Sequence, residues 1–344
     1  MRAVRYEAFR ARPELVEVPA PDCPPHGAVV SVHATGVCRS DWHAWQGHDD
    51  SVRLPHVPGH EFAGVVERVG TEVTGFAPGD RVTAPFILSC GRCEQCRAGA
   101  PQVCPRQRQP GFDLPGSWAE QVVVIEADHN LVALPEGIDL TLAAGLGCRV
   151  GTAYHAVRTQ AAVVPGETVA VFGCGGLGLS CVMVALAAGA EVLAIDVSET
   201  ALAAAVELGA RAILTDGDIA ARVREVTGGG AHVSLDALGS AATARAAIES
   251  LRPRGRHVQV GLLLGDDADP SLPMGRVIAQ ELQILGSHGL AVAEYRELLA
   301  EVAGGRLDLG RTVGSVLTLE ELPAAMLAMD RPPTTAGMTV ARLR

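Results

Sequence analysis

The rhythm of apolar and polar positions changes once along this chain. Up to about residue 150 the apolar runs are short, β-branched and punctuated by Pro and Gly: AVVSVHA (28–34), EFAGVVERVG (61–70) and AEQVVVI (119–125). Runs of this kind predict strands, and no long amphipathic helix competes with them. From about residue 165, short apolar runs alternate with Ala-rich stretches: ETVAVFG, GLGLSCVMVALAAG, EVLAID and SETALAAAVELG. RAILTD (211–216), HVSLDAL (232–238), GRHVQVGLL (255–263) and LQILGS (282–287) continue the series. Six strands with helical stretches between several of them predict a doubly wound parallel sheet. After about residue 288, AVAEYRELLAEVAGG reads as one more helix before a mixed tail. The chain is thus an α/β protein with a β-rich first part, and its 344 residues suit about two domains.

Composition narrows the chemistry. All 28 basic side chains are arginine, so the chain has no lysine. That excludes Schiff-base aldolases, pyridoxal-phosphate enzymes, Walker-type phosphate loops and protein kinases, each of which needs one. A formal charge of −11 supplies no basic stripe for phosphates, so nucleic acid is not an expected partner. The opening MRAVRYEAFRARPELVEVP has no apolar core of a signal or transit peptide. The longest apolar stretch, around Cys181 to Ala190, is well short of the ~18–20 residues of a membrane span. No membrane partner and a cytoplasmic location are expected. In that setting the nine cysteines read as metal ligands or reduced thiols.

CGRCEQCRAGAPQVC sets Cys90, Cys93, Cys96 and Cys104 as C-x2-C-x2-C-x7-C, four soft thiolates on one short lobe. The pattern suits a closed tetrahedral zinc site of the structural kind. An iron–sulfur cluster competes, because Pro105 gives a ferredoxin-like ending, but the last spacing is too long; unligated thiols are the other alternative. Cys38 in GVCRSDWH, His60 and Glu61 in GHE, and Cys148 in LGCRVGT are scattered, and each alone reads equally as a buried structural residue. If they converge, two thiolates and one imidazole leave a fourth position open, which is a Lewis-acid site. In GETVAVFGCGGLGLS, a strand runs into Gly173-x-Gly175-x-x-Gly178 and then a helix, with Gly176 and Leu177 inside the loop. Asp196 follows at the end of the next strand. This is the context in which glycines admit a pyrophosphate at a helix N-terminus and a strand-end carboxylate binds ribose hydroxyls, favouring NAD over NADP. Cys23, Cys174 and Cys181 are left over and are expected to pack as small apolar side chains.

Taken in order, GVCRSDWH, PGHEFAGVVERVG, the four-cysteine lobe, GCRVGTAYHA and VFGCGGLG resemble the zinc-dependent medium-chain alcohol dehydrogenases over essentially the whole chain. The resemblance implies a GroES-like β-rich catalytic domain, 1–152 completed by 288–344, interrupted by a Rossmann domain over 153–287. It implies Cys38, His60 and Cys148 as catalytic zinc ligands, Glu61 as a transient ligand, and Asp41 as the acid that fixes the His60 tautomer. Ser40 and His43 match the family's proton relay, Arg39 its pyrophosphate base, and Thr152 its nicotinamide contact. Cofactors are then two zinc ions per chain and NAD, and the reaction interconverts an alcohol with an aldehyde or ketone by hydride transfer. A polyol, threonine or aldehyde-adduct substrate is the alternative, and a non-catalytic zinc-stabilised dinucleotide sensor the alternative of another class. Homo-oligomers, tetramers before dimers, are the implied assembly. Two positions depart from the pattern: Ala201 and Met338 stand where relatives often carry bases near the nucleotide. Trp45, Phe86 and Trp118 read equally as walls of an apolar pocket and as plain core.

Overall fold

Fifteen strands divide between one small hairpin and two large sheets in the computed structural model, which describes residues 1–215 and 217–344. In chain order they are β1 (Arg2–Arg5), β2 (Glu14–Glu17), β3 (Ala28–Val37), β4 (Phe62–Val69), β5 (Arg81–Thr83), β6 (Gln121–Val124) and β7 (Val132–Ala133). Next come β8 (Thr168–Phe172), β9 (Glu191–Asp196), β10 (Arg211–Leu214), β11 (Ala231–Asp236), β12 (Leu251–Gln259), β13 (Gln283–Gly286), β14 (Val313–Thr318) and β15 (Met338–Arg342). The strand expected over 211–216 thus stops at Leu214, and its last expected residue, Asp216, lies outside the described residues.

Strands β8 to β13 form the predicted parallel sheet in the order β10-β9-β8-β11-β12-β13. The order reverses beside β8, so the crevice beyond the carboxyl ends of β8 and β11 is the place where such a sheet receives a ligand. VAVF of β8 and VSLD of β11 are buried throughout, as strands covered on both faces must be. The helix Gly176–Ala187 follows β8. Its sequence GLGLSCVMVALA has no polar stripe, and Gly178 to Ala185 are all buried between the sheet and the helical segment Arg149–Gln160. That segment turns from α-helix to π-helix at His155, and the domain junction expected at 152/153 falls inside it.

The second large sheet runs β14-β15-β3-β4-β5-β7, with β6 also on β3. Its centre, AVVSVHATGV, is buried at nine of ten positions. The C-terminal strand β15 returns to pair antiparallel with β3, Thr339 opposite Val37. Met338 is thereby carried next to the end of β3, where Cys38 caps the helix Arg39–Gln46. The pattern of short runs did not reveal β1, β2, β5, β7, β14 or β15, because strands of two to six residues carry little periodic signal.

Candidate active site and cofactor crevice

Three separate turns bring Cys38, His60 and Cys148 together. Cys38 is the N-cap of the helix Arg39–Gln46, His60 ends the loop before β4, and Cys148 sits between a 3₁₀ turn and the helix Arg149–Tyr154. One ligand atom from each lies within 4.8 Å of the others, near enough to converge on one tetrahedral ion with metal–sulfur distances of about 2.3 Å. Asp41, fully buried, organises two of the three. Its Oδ2 accepts the Cys38 N–H at 2.9 Å, and its Oδ1 accepts the Gly59 N–H at 3.1 Å and the His60 Nδ1–H at 2.9 Å. Burial lowers the His60 pKa, but Asp41 and the Cys38 thiol outweigh it and raise the value well above normal, so it is a cation at Nε2 that would leave the ring neutral, and this buried Nε2 has no partner among the described residues. An unpartnered buried nitrogen beside two thiols is the observation that fits a metal ion here. Hydrogen bonding from Cys148 pulls the Cys38 thiol well below its ordinary pKa and pushes that of Cys148 up. A dication between them ionises both.

Glu61 does not join this group. Fully buried, it receives the Arg149 backbone N–H at 2.8 Å and the Arg149 Nε at 3.0 and 2.9 Å, and Nη2 closes the pair. Its expected role as a ligand therefore requires it first to leave a forked ion pair. Burial raises the Glu61 pKa, and the Arg149 charge opposes that rise. Arg149 is a site residue that sequence reading missed, although it stands beside Cys148 in GCRVGT.

The four lobe cysteines also converge. Sγ–Sγ distances are 3.3 Å for Cys93–Cys96, 3.7 Å for Cys93–Cys104 and 3.6 Å for Cys90–Cys104. The Cys96 and Arg106 N–H groups point at Cys93 and Cys104 sulfurs, and N–H groups of Arg92 and Cys93 help to hold the Cys90 thiol at a pKa of about 6. The donor set is that of an all-thiolate zinc lobe.

Ser40 lies with its Oγ 3.7 Å from the Cys38 sulfur, at the rim of the three-ligand group. His43, on the same helix, faces His48 with 3.1 Å between Nδ1 atoms, and burial followed by His48 pushes its pKa down to about 4. Arg39 is turned outward: Nη1 donates to the Met329 carbonyl at 2.6 Å, and the guanidinium lies 4.9 Å from the Trp42 ring centre. Phe86 and Phe112 stand 6.0 and 5.4 Å from the His60 ring. Phe86 therefore faces the site and Phe112 joins it unannounced. Trp45 and Trp118 belong to a separate core under β3.

In the crevice, Gly173 adopts φ +87°, and a Cβ at Gly178 would stand 1.8 Å from the Gly173 carbonyl oxygen, so strand and helix meet only through glycine. Nothing lies within 4 Å of a Cβ built on Gly175, which leaves the loop backbone open to a ligand, with Leu177 half-buried on the first turn beyond it. Asp196, at the end of β9, accepts the Cys174 N–H at 2.6 Å and the Ser198 N–H at 2.8 Å. Its carboxylate is thereby fixed at the rim of the loop. Thr152 is buried with a hydroxyl that has no partner among the described residues. Helix N-terminus, open glycine backbone, rim carboxylate and spare hydroxyl fit a dinucleotide. Ala201 packs on the core, and Met338 is fully buried. Cys174 and Cys181 are buried, and burial pushes both thiols up to about 12.

Comparison with known proteins agrees with this geometry. Residues 24–136 match the alcohol dehydrogenase GroES-like domain, and residues 176–304 the zinc-binding dehydrogenase family. The chain is 33% identical over 328 residues to an alcohol dehydrogenase of Geobacillus stearothermophilus, with 94% of each chain covered. It is 35% identical over 315 residues to probable D-xylulose reductase A of Aspergillus terreus, covering 88% of this chain and 87% of that one. The alcohol dehydrogenase TADH from Thermus sp. ATN1 superposes with a TM-score of 0.92 at 35% identity over the full length of both chains. With two ligand groups built for zinc, a glycine crevice built for a dinucleotide and likeness of this extent, the chain belongs to the zinc-dependent medium-chain alcohol dehydrogenase family.

Proposed function

We infer that the protein is an NAD-dependent zinc alcohol dehydrogenase whose reacting centre is Cys38, His60 and Cys148, and the orphaned His60 Nε2 among two thiols carries this reading. When bound, zinc supplies Lewis acidity that makes an alcohol hydroxyl easier to ionise, and the nicotinamide supplies the hydride acceptor. Asp41 keeps the His60 proton on Nδ1. The Ser40 hydroxyl receives the substrate's proton, and His43, neutral at pH 7, passes it outward. A non-catalytic sensor has no use for that pair. Thr152 orients the nicotinamide side, and Asp196 binds the adenosine ribose and repels a 2′-phosphate. Cys90, Cys93, Cys96 and Cys104 hold a second, structural zinc. Residues 1–152 with 288–344 act as the catalytic part and 153–287 as the cofactor part.

Phe86 and Phe112 beside His60 favour an apolar alcohol or carbonyl substrate. A polyol or ketose is the second reading, supported by similarity to the xylulose reductase and opposed by those two rings and by the Cys148 thiol in the ligand set. The protein acts in the cytoplasm as a homo-oligomer, a tetramer before a dimer, which light scattering measures. The test is metal analysis together with absorbance of reduced nicotinamide against a panel of alcohols, polyols and ketones. Two zinc ions per chain and turnover of apolar alcohols are expected. A protein without zinc that turns over nothing in the panel ends this reading.

A further inference from the structure

The guanidinium of Arg149 has two sides with different surroundings. Nε and Nη2 are committed to the Glu61 carboxylate, and Nη2 also reaches the Thr339 carbonyl at 3.3 Å. The pair is wedged against Gly36, where a Cβ would stand 2.0 Å from Glu61 Oε2 and 2.7 Å from Arg149 Nη2. Nη1 has no hydrogen-bond partner among the described residues, and it faces the other way. A Cβ built on Gly176 would lie 3.2 Å from Nη1, 3.0 Å from Arg149 Cδ and 2.8 Å from Met338 Cγ. Gly176 is the first residue of the helix Gly176–Ala187, whose N–H groups open on the glycine loop. One uncommitted nitrogen of a permanently charged group therefore stands at the helix end where a dinucleotide's diphosphate is held.

Met338 completes the picture. It occupies the position at which a base was expected, yet it is fully buried, with its thioether sulfur 3.0 Å from a Cβ built on Gly145. Met338 and Arg149 meet over the same glycine, so the apolar side chain at one position accommodates the charged one at the other. Arg39, the other candidate base, is spent on the Met329 carbonyl and Trp42.

We propose that Arg149 is the residue that binds the cofactor's diphosphate through Nη1, in place of the base absent at Met338, while Nε and Nη2 hold Glu61 away from the Cys38–His60–Cys148 group. The inference rests on the NAD-dependent reading above. It makes one side chain common to the floor of the dinucleotide crevice and the back of the metal group, so that ligand at one reaches the other through a single planar cation.

Calorimetry with two ligands separates this from its alternatives: ADP-ribose, which carries the diphosphate, and adenosine, which does not. Both are titrated into the zinc-loaded wild type, R149M, E61Q and the double variant R149M/E61Q. The double variant leaves no unpaired buried charge and serves where R149M alone does not fold. ADP-ribose binding is expected to weaken about tenfold or more in R149M and in the double variant, because a charge-assisted phosphate contact is lost. Adenosine binding stays at the wild-type value in every variant, and the salt dependence of ADP-ribose binding becomes shallower without Arg149. ADP-ribose affinity within about twofold of wild type in a folded, zinc-loaded double variant overturns the proposal. Equal losses for adenosine and ADP-ribose overturn it as well, since they mark general damage to the crevice. A wild type that binds neither ligand instead removes the NAD-dependent reading itself.

Discussion

Replacing Asp41 by Asn changes almost no volume and removes one acceptor. The carboxylate serves Cys38 N–H through Oδ2, and Gly59 N–H and His60 Nδ1–H through Oδ1. An amide has only one oxygen. With that oxygen on the Gly59 and His60 side, the NH₂ group confronts the Cys38 N–H, and a buried donor loses its partner at a cost of about 1–3 kcal/mol, borne by the backbone of a ligand. With the amide reversed, the NH₂ group confronts His60, whose ring must move its proton to Nε2, the atom that faces the thiols. The first arrangement disturbs less, and both degrade the ligand set. The expected loss in affinity for the catalytic ion is about 10–100-fold, equivalent to about 1.4–2.7 kcal/mol. Competition with a chelator reads this directly, because the four-cysteine lobe is an internal standard in the same chain. One zinc per chain should leave D41N at lower chelator concentration, while the second leaves as in wild type. Release of both ions within about threefold of wild type would falsify the assignment of Asp41 as the organiser of His60.

Three further outcomes follow from the same geometry. C148A should retain one tightly held zinc per chain and wild-type ADP-ribose affinity while losing nearly all turnover; substantial residual activity removes Cys148 from the reacting centre. D196S should narrow the preference for NAD over NADP by about tenfold or more, since the carboxylate that repels a 2′-phosphate is gone, and unchanged kcat/KM values for both cofactors refute that role. The native state refuses a proton on His43 down to about pH 4, chiefly through burial and then His48. The unfolded chain accepts that proton below ~6.5, so this residue makes stability fall as pH drops through the window between them. Chemical unfolding at pH 7 and pH 5 should show a smaller acid loss for H43Q than for wild type, and equal losses for the two proteins count against the pKa assignment.

The parallel sheet was readable because its central strands β8 and β11 are buried apolar runs and Ala-rich helices stand between the strands, so the alternation of textures is strong. The second large sheet was only partly readable, since β5 and β7 have three and two residues and are specified by their neighbours. Among site residues, the four-cysteine lobe lies within a stretch of fifteen residues and needed no fold to be seen. Cys38 and Cys148 are 110 positions apart, and only resemblance joined them before the sheet did. Phe112 was missed for a related reason. Nothing near it in sequence carries chemistry, and it reaches His60 only because the loop after the lobe folds back over Gly59, whose backbone a Cβ at Gly111 would meet at 2.7 Å.

The lysine-free composition bears on the buried charge at the site. A lysine in place of Arg149 could pair with Glu61 through one ammonium, but it could not also present a second donor toward Gly176, because its hydrogens radiate from one nitrogen. The guanidinium can do both, as its Nη1 and Nη2 diverge while the charge is shared. Its neighbour Glu61 is held by three nitrogens of the same residue, one of them the backbone N–H, so the carboxylate's position is coupled to the helix that carries Cys148. Moving Glu61 toward the ligand group therefore also requires that helix start to adjust. An enzyme built this way has its base for the nucleotide, its restraint on Glu61 and its third metal ligand within two consecutive residues, Cys148 and Arg149.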